Sequence, residues 1–253
     1  LKDASRRLGW LQHIDEPPRL RRYEELLQAA LDNRPLSLSS SDRASVLMFD
    51  AQLQNRGVLR AAESTINDLA ASLPLVQEFR ELREVLEDRV EISQQVLPVP
   101  EWPLALHRHY SRREILAAVG YMQPGEKIIA HQGGILKLDG QRELLFVTLD
   151  KSGKGYSPTT RYRDFAISPT LFHWETQGAA SVTRDSGKRY VESPGNGSTF
   201  FLFVRPKPGE AFAFLGPVEY QTHQGDRPIG ITWTLQFAMP ANLYDRYATM
   251  RPG

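Results

Sequence analysis

The sequence predicts an α+β protein, a helical bundle in its N-terminal part followed by a curved, mostly antiparallel sheet or small barrel with few helices. Three observations predict it. Apolar residues recur at helical spacing from Leu8 to about Val96. Short apolar runs bounded by turn residues fill the remainder. Between the two patterns stands Pro98-Val99-Pro100-Glu101-Trp102-Pro103, which suits neither a helix interior nor a central strand. That stretch sets the expected division into a helical connector domain, 1–97, and a β-rich domain, 98–253.

Each element follows from local chemistry. Tyr23, Leu26, Leu27, Ala30 and Leu31 form one apolar stripe; Leu75, Phe79, Leu82, Val85, Leu86 and Val90 form another. Breaks are expected at Pro17-Pro18, at Asn33-Arg34-Pro35 with the serines from Ser37 to Ser41, at Gly57 and at Pro74, which suits a helix start. Beyond the boundary, Ser111-Arg112-Arg113-Glu114 is a capping-box pattern opening a short helix. Ile115, Leu116 and Val119 form its buried stripe, and Gly120 suits the position after its end. Gly133 to Leu138, Asp139-Gly140 and Leu144 to Leu149 read as strand, turn and buried strand. Further strands are expected at Ala166–Ser168, Leu171–Trp174, Ser198–Arg205, Phe212–Leu215 and Ile229–Ala238.

Composition narrows the function classes. A chain of 253 residues with 41% hydrophobic residues can bury a real core, and no apolar run approaches the ~20 residues of a membrane span. The absence of cysteine excludes disulfides, thiolate metal sites and cysteine nucleophiles, and suits a reducing cytoplasm. The opening Leu1-Lys2-Asp3 lacks an initiator Met and a targeting pattern, and reads as the start of a piece excised from a longer chain. Residues 1–100 carry 13 Lys/Arg against 16 Asp/Glu, whereas the rest carries 18 against 14, so an anionic partner is expected on the second part.

The densest chemistry lies between Thr148 and Phe165. This segment holds Lys151, Lys154, Arg161 and Arg163, the hydroxyls Ser157, Thr159 and Thr160 around Pro158, and Tyr156 and Tyr162. Cations neutralise phosphates, hydroxyls fix register and tyrosine gives a base a flat face. The same inventory also describes a solvated loop. In Leu171-Phe172-His173-Trp174-Glu175-Thr176-Gln177, alternation sets Phe172 and Trp174 on one face and His173 and Glu175 on the other. Trp174 could line a base-sized pocket or belong to the core. His107-Arg108-His109 resembles two metal ligands without a third, so neither metal nor cofactor is expected. Without a G-x-S-x-G elbow, a Walker A loop, an H-E-x-x-H helix or a D/E-x-K triplet, no catalytic residue is expected and the chain reads as non-enzymatic.

At these residues the chain resembles a known family. Thr148-Leu149, Lys151, Tyr156 to Thr160, Tyr162, Asp164, Phe172-His173-Trp174, Gln177, Gly187, Arg189-Tyr190, Phe203-Val204-Arg205, Phe214-Leu215-Gly216, Arg227-Pro228 and Ile231-Thr232-Trp233 carry the likeness. They look like the uncharacterised domain that ends many bacterial superfamily-two helicases, over about residues 105–240. Trp10, His13-Ile14-Asp15 and Arg19-Leu20 resemble the helical connector after the motor. SauUSI-like members of that family join a phospholipase-D-like nuclease, a helicase and this domain in enzymes that restrict DNA carrying modified cytosine. The resemblance implies an SRA-like or PUA-like base-flipping fold and a phage-defence role. The implied partners are modified double-stranded DNA and the helicase and nuclease domains of the same parent chain, with no membrane.

On that reading Lys151, Lys154, Ser157, Thr159, Thr160, Arg161, Arg163, Arg184, Lys188 and Arg189 hold the DNA backbone. Tyr156, Tyr162, Asp164, Phe172, Trp174 and Gln177 form the pocket, with Tyr162 and Trp174 as stacking planes and Asp164 accepting from the cytosine amine. Tyr156, Phe172 and Tyr220 would make an equally good pocket. The alternative is a docking module that couples the motor to partners through charge-rich helices such as Glu78 to Glu91, with only non-specific DNA contact.

Overall fold

The computed structural model describes residues 17–54, 57–87, 96–129, 133–150 and 163–249. Eight helices and eight strands among them make an α+β protein, and the chain divides into two compact units, Leu1–His131 and Gln132–Gly253. No helix among the described residues is long and apolar enough to cross a membrane.

In the first unit, helices α1 (Pro17–Leu31), α2 (Ser40–Gln54), α3 (Ala62–Ala70) and α4 (Leu73–Glu87) share a core that includes Leu20, Tyr23, Leu26, Val46, Phe49, Ile66 and Phe79. Phe49 meets Tyr23 at 5.4 Å and Phe79 edge-on at 5.7 Å, the offset geometry that aromatic quadrupoles favour. Asp50 has no exposure, and its carboxylate accepts from Arg60 N and Nε at 2.8 Å and from Nη2 at 2.6 Å, which ties α2 to the residue two places before α3. Pro74 stands at the second residue of α4, where its missing N–H costs nothing.

The two-residue β1 (His109–Tyr110) leads into α5 (Arg112–Ala118), whose capping box is present: Ser111 Oγ accepts from Glu114 N, and Glu114 Oε2 accepts from Ser111 N at 2.8 Å. Gly120 has φ +73°, as expected for the residue after a helix end. The same Glu114 carboxylate takes Gln52 Nε2 of α2 at 3.1 Å and pairs with Arg19 of α1 at 3.9 Å. These bonds hold α5 in the first unit, so the compact division falls at 131/132 rather than at the proline-dense stretch.

In the second unit the strands are β2 (Ile135–Lys137), β3 (Arg142–Thr148), β4 (Phe165–Ser168), β5 (Leu171–Glu175), β6 (Thr199–Arg205), β7 (Phe212–Gln224) and β8 (Gly230–Leu235). They run β2-β3-β6-β7-β8-β5-β4, open at both ends of this path. Every neighbouring pair along it is antiparallel except β3 with β6. That parallel pair accounts for the continuous apolar runs Leu144–Val147 and Phe200–Val204, because parallel strands are buried on both faces. One core gathers Leu145, Leu202, Leu215, Trp233, Phe172 and Ala166 from β3 to β8. The sheet curls until a single helix reaches both β6 and β4: Tyr247 of α8 donates to Val204 O at 3.0 Å and Tyr244 to Ile167 O at 3.3 Å.

Three features depart from the expected elements. Helix α6 (Asp185–Val191), with α7 (Ser193–Asn196) after it, and α8 (Ala241–Ala248) stand where no helix was expected. They are short, and packing rather than propensity supports them. Strand β7 continues past Leu215 because Gly216-Pro217, a turn-like pair, forms a bulge: Leu202 faces Gly216 while Phe203 faces Phe214, with Gly216 at φ +86°.

Candidate functional site

The eight expected contact residues Lys151, Lys154, Tyr156, Ser157, Thr159, Thr160, Arg161 and Tyr162 lie outside the described residues. Both anchors of their segment are described. At the start, Leu149 N and Asp150 N donate to Arg205 O and Pro206 O at 3.0 and 2.7 Å, at the end of β6. At the finish, Glu175 closes a reciprocal clamp: its Oε2 accepts from Arg163 N at 2.8 Å while its own N donates to Asp164 Oδ1 at 2.9 Å. Asp164 is therefore 3% exposed and serves to fix the chain at the end of β5, while Arg163 is exposed.

Alternation along β5 resolves as expected, with Phe172 and Trp174 on one face. That face is the core. Phe172 has no exposure and Trp174 5%; Trp174 meets Tyr190 edge-on at 5.2 Å and lies 6.3 Å from Trp233. The stacking role expected of Trp174 and the pocket place expected of Phe172 are not open in this structure, because both side chains are packed in the core, Trp174 against the Tyr190 and Trp233 rings. The opposite face carries His173, which stacks on Phe165 at 4.8 Å. Burial pushes the His173 imidazole below its ordinary value, against the opposing pull of the Glu175 and Asp164 carboxylates.

This shift predicts acid sensitivity. An imidazole that titrates near 6.5 when unfolded and lower when folded leaves stability intact above about pH 6.5 and erodes it as pH falls toward the folded value. His173→Gln should therefore narrow the drop in melting temperature between pH 7.5 and pH 5.5, chosen on either side of roughly 6.5. An equal drop in both proteins would remove His173 as its source.

The basic candidates separate. Arg184 and Lys188 are exposed at the start and along α6. Arg189 is corrected: its Nε lies 2.8 Å from Glu143 Oε1, its Nη2 reaches Tyr190 OH, its Nη1 donates to Ser186 O at 3.0 Å, and its guanidinium covers the Tyr190 ring at 4.3 Å. Those contacts commit it to the fold, leaving Arg184 and Lys188 as the described cations of that helix open to a phosphate.

Gln177 is exposed just beyond β5. In the next residues Ser181 Oγ and Val182 N donate to Asp226 at 3.1 and 3.0 Å, and Thr176 Oγ1 accepts from Ile229 N at 2.9 Å. These bonds join the turn after β5 to the turn between β7 and β8. Glu175 faces Gly230 across one ladder, and Gly230 faces Gln224 across the next. One end of the sheet thus brings together Arg163, Gln177, Arg184 and the β7–β8 turn. The last was missed in the sequence, where residues 221–228 show no apolar alternation; Arg227-Pro228 was the signal available. Tyr220 points its hydroxyl to His223 Nδ1 at 2.6 Å. Among the described residues no group of three or more His, Cys, Asp or Glu side chains could hold a metal.

Residues 104–247, more than half of the chain, match the family described as Domain of unknown function (DUF3427). No curated protein matches the chain.

Proposed function

We propose that this chain, which belongs to the DUF3427 family, is a DNA-binding target-recognition module that reads a modified cytosine, 5-methylcytosine in the first instance. Its fold on this proposal is a member of the SRA-like and PUA-like class, with the first unit a helical bundle that connects it to a cytoplasmic helicase–nuclease parent. The module breaks no bond itself.

One observation carries the reading. A segment with four Lys/Arg, two Tyr and several hydroxyls is anchored at both ends, and its Arg163 end is clamped by Glu175 at an end of the sheet that also presents Gln177 and Arg184. Extruding a base costs a few kcal/mol, and stacking on an aromatic plane returns ~1–3 kcal/mol, so hydrogen bonds must supply the rest. With Phe172 and Trp174 covered, Tyr156 and Tyr162 are the stacking planes and Gln177 a base-edge partner. A methyl group adds only ~1 kcal/mol by burial, so discrimination also needs a pocket that excludes the unmodified base's hydration.

The docking alternative loses support from the charges it invoked. Arg80 Nε of α4 lies 2.8 Å from Glu24 Oε1, and Arg83 binds the other oxygen of the same carboxylate. Part of that helix's charged face is spent inside the first unit. Fluorescence anisotropy on duplexes with one central cytosine, 5-methylcytosine or 5-hydroxymethylcytosine, each titrated with salt, tests the choice. The expected result is a modified-base preference that persists as salt weakens overall affinity. Identical curves that collapse together with salt would replace it with the docking reading.

A further inference from the structure

The β7–β8 turn has properties that its part in the sheet does not require. Residues 221–228 are all exposed although the ladder continues through Thr222↔Thr232, His223↔Ile231 and Gln224↔Gly230. The partner strand is not exposed: Ile231 is fully buried and faces Trp174 of β5 on its other side, so it is the end of β7 and the turn after it that face solvent. The turn is nonetheless held firmly, by the Asp226 bonds to Ser181 and Val182 and by the two bonds between Thr176 and Ile229, Thr176 N to Ile229 O at 3.0 Å and the reverse through Thr176 Oγ1.

Its side chains are of one kind. Gln221, Thr222, His223, Gln224 and Arg227 offer hydrogen-bond donors and acceptors, and there is no large apolar residue among residues 221–228. The one carboxylate, Asp226, is spent on the brace, and the nearby Glu219 Oε1 accepts from Gln236 Nε2 at 2.9 Å. A protein partner would ordinarily need an aromatic or aliphatic anchor. Bidentate Gln and Arg side chains instead match adenine and guanine edges in the major groove.

Arg227 sharpens the argument. It holds φ +62°, a left-handed backbone that glycine adopts without cost, yet its side chain is 54% exposed and its Nε lies 3.7 Å from Asp226 Oδ2. The brace through Ser181 also ties the turn to Arg184, whose N donates to Ser181 O at 3.0 Å. Through Gly230 the end of β7 borders Glu175, which holds Arg163.

We infer that the exposed end of β7 and the turn after it, residues 221–228, face a groove of the DNA duplex and read the base pairs that flank the modified cytosine. This inference rests on the DNA-reading proposal. Flanking choice is then set by Gln221, Gln224 and Arg227, separately from the pocket that holds the base.

The test measures anisotropy on a set of duplexes, modified and unmodified, in which the pairs within one helical turn of the central cytosine are varied one at a time. The whole chain should prefer some flanks by about tenfold per position. A Gln221→Ala, Gln224→Ala, Arg227→Ala variant should level the flanks and keep the ratio between modified and unmodified duplexes. Arg227→Gly should melt no lower than the parent, because glycine relieves the φ constraint, and still lose preference at its own position. An unchanged flank spectrum in either variant, or a parent without flank preference, overturns the role of residues 221–228. Equal binding of modified and unmodified duplexes overturns the pocket alone, since the flank spectrum on unmodified DNA still decides that role; no duplex binding overturns both.

Discussion

Gly187→Ala is expected to lower the melting temperature of the second unit by roughly 10 °C, a loss of about 3 kcal/mol. Two effects compete at this position. Gly187 lies inside α6, where alanine ordinarily gains ~1 kcal/mol of helix propensity. A Cβ there, however, would stand 2.3 Å from Ser181 O and 2.5 Å from Ile229 Cδ1. The backbone oxygen cannot rotate away as a flexible side chain would, so overpacking outweighs propensity. Gly178, around which an added Cβ meets nothing within 4 Å, supplies the control: Gly178→Ala should leave the midpoint within about 1 °C. A Gly187→Ala midpoint equal to the parent's would mean that α6 does not sit against the Ser181 turn as described.

The consequence reaches the candidate site. Ser181 and Val182 hold Asp226, and Ile229 is bound to Thr176, so displacing either neighbour of Gly187 loosens the β7–β8 turn and the end of β5 together. Gly187→Ala protein assayed below its melting range should therefore show weaker DNA discrimination than its residual fold implies. A stability variant elsewhere, such as one in the first unit's core, should not.

Much of the fold was legible in the sequence because its signals are local. The Ser111–Glu114 capping box, Gly120 after α5 and Asp139-Gly140 between β2 and β3 each depend on residues a few positions apart. In the last case Asp139 Oδ1 accepts from Gln141 N at 2.9 Å and Arg142 N at 2.7 Å. What escaped depends on distant partners. Helix α6 carries a glycine that Ser181 and Ile229 demand, and β7 runs through a Gly-Pro pair that only its pairing with β6 makes into a bulge. The site divides on the same line. Strand alternation identified the two faces of β5, yet the sequence left open which was core. Arg189 was indistinguishable from Arg184 or Lys188 until Glu143, 46 positions earlier, was found against it.

On the DNA-reading proposal, the largest functional effect belongs to the segment's charges. Replacing Lys151, Lys154, Arg161 and Arg163 together with glutamine should weaken duplex binding on the order of a thousandfold at about 0.15 M salt, and reduce the slope of log affinity against log salt by roughly 3–4. The magnitude follows from counterion release: each phosphate contact contributes about 0.9 to the slope, and its advantage accumulates as salt falls from about 1 M, where little of it remains. Arg184, Lys188 and Arg227, exposed on α6 and the β7–β8 turn, should sustain the residual slope. Arg189→Gln is the contrasting variant. Because Arg189 is committed to Glu143 and Tyr190, its loss should lower stability through the partner left unpaired in a largely buried place, while the salt slope stays at the parent's value. If the fourfold replacement leaves the slope unchanged, the segment does not touch phosphate; if Arg189→Gln lowers the slope by about 1, the ion pair opens on DNA and Arg189 returns to the backbone-binding set.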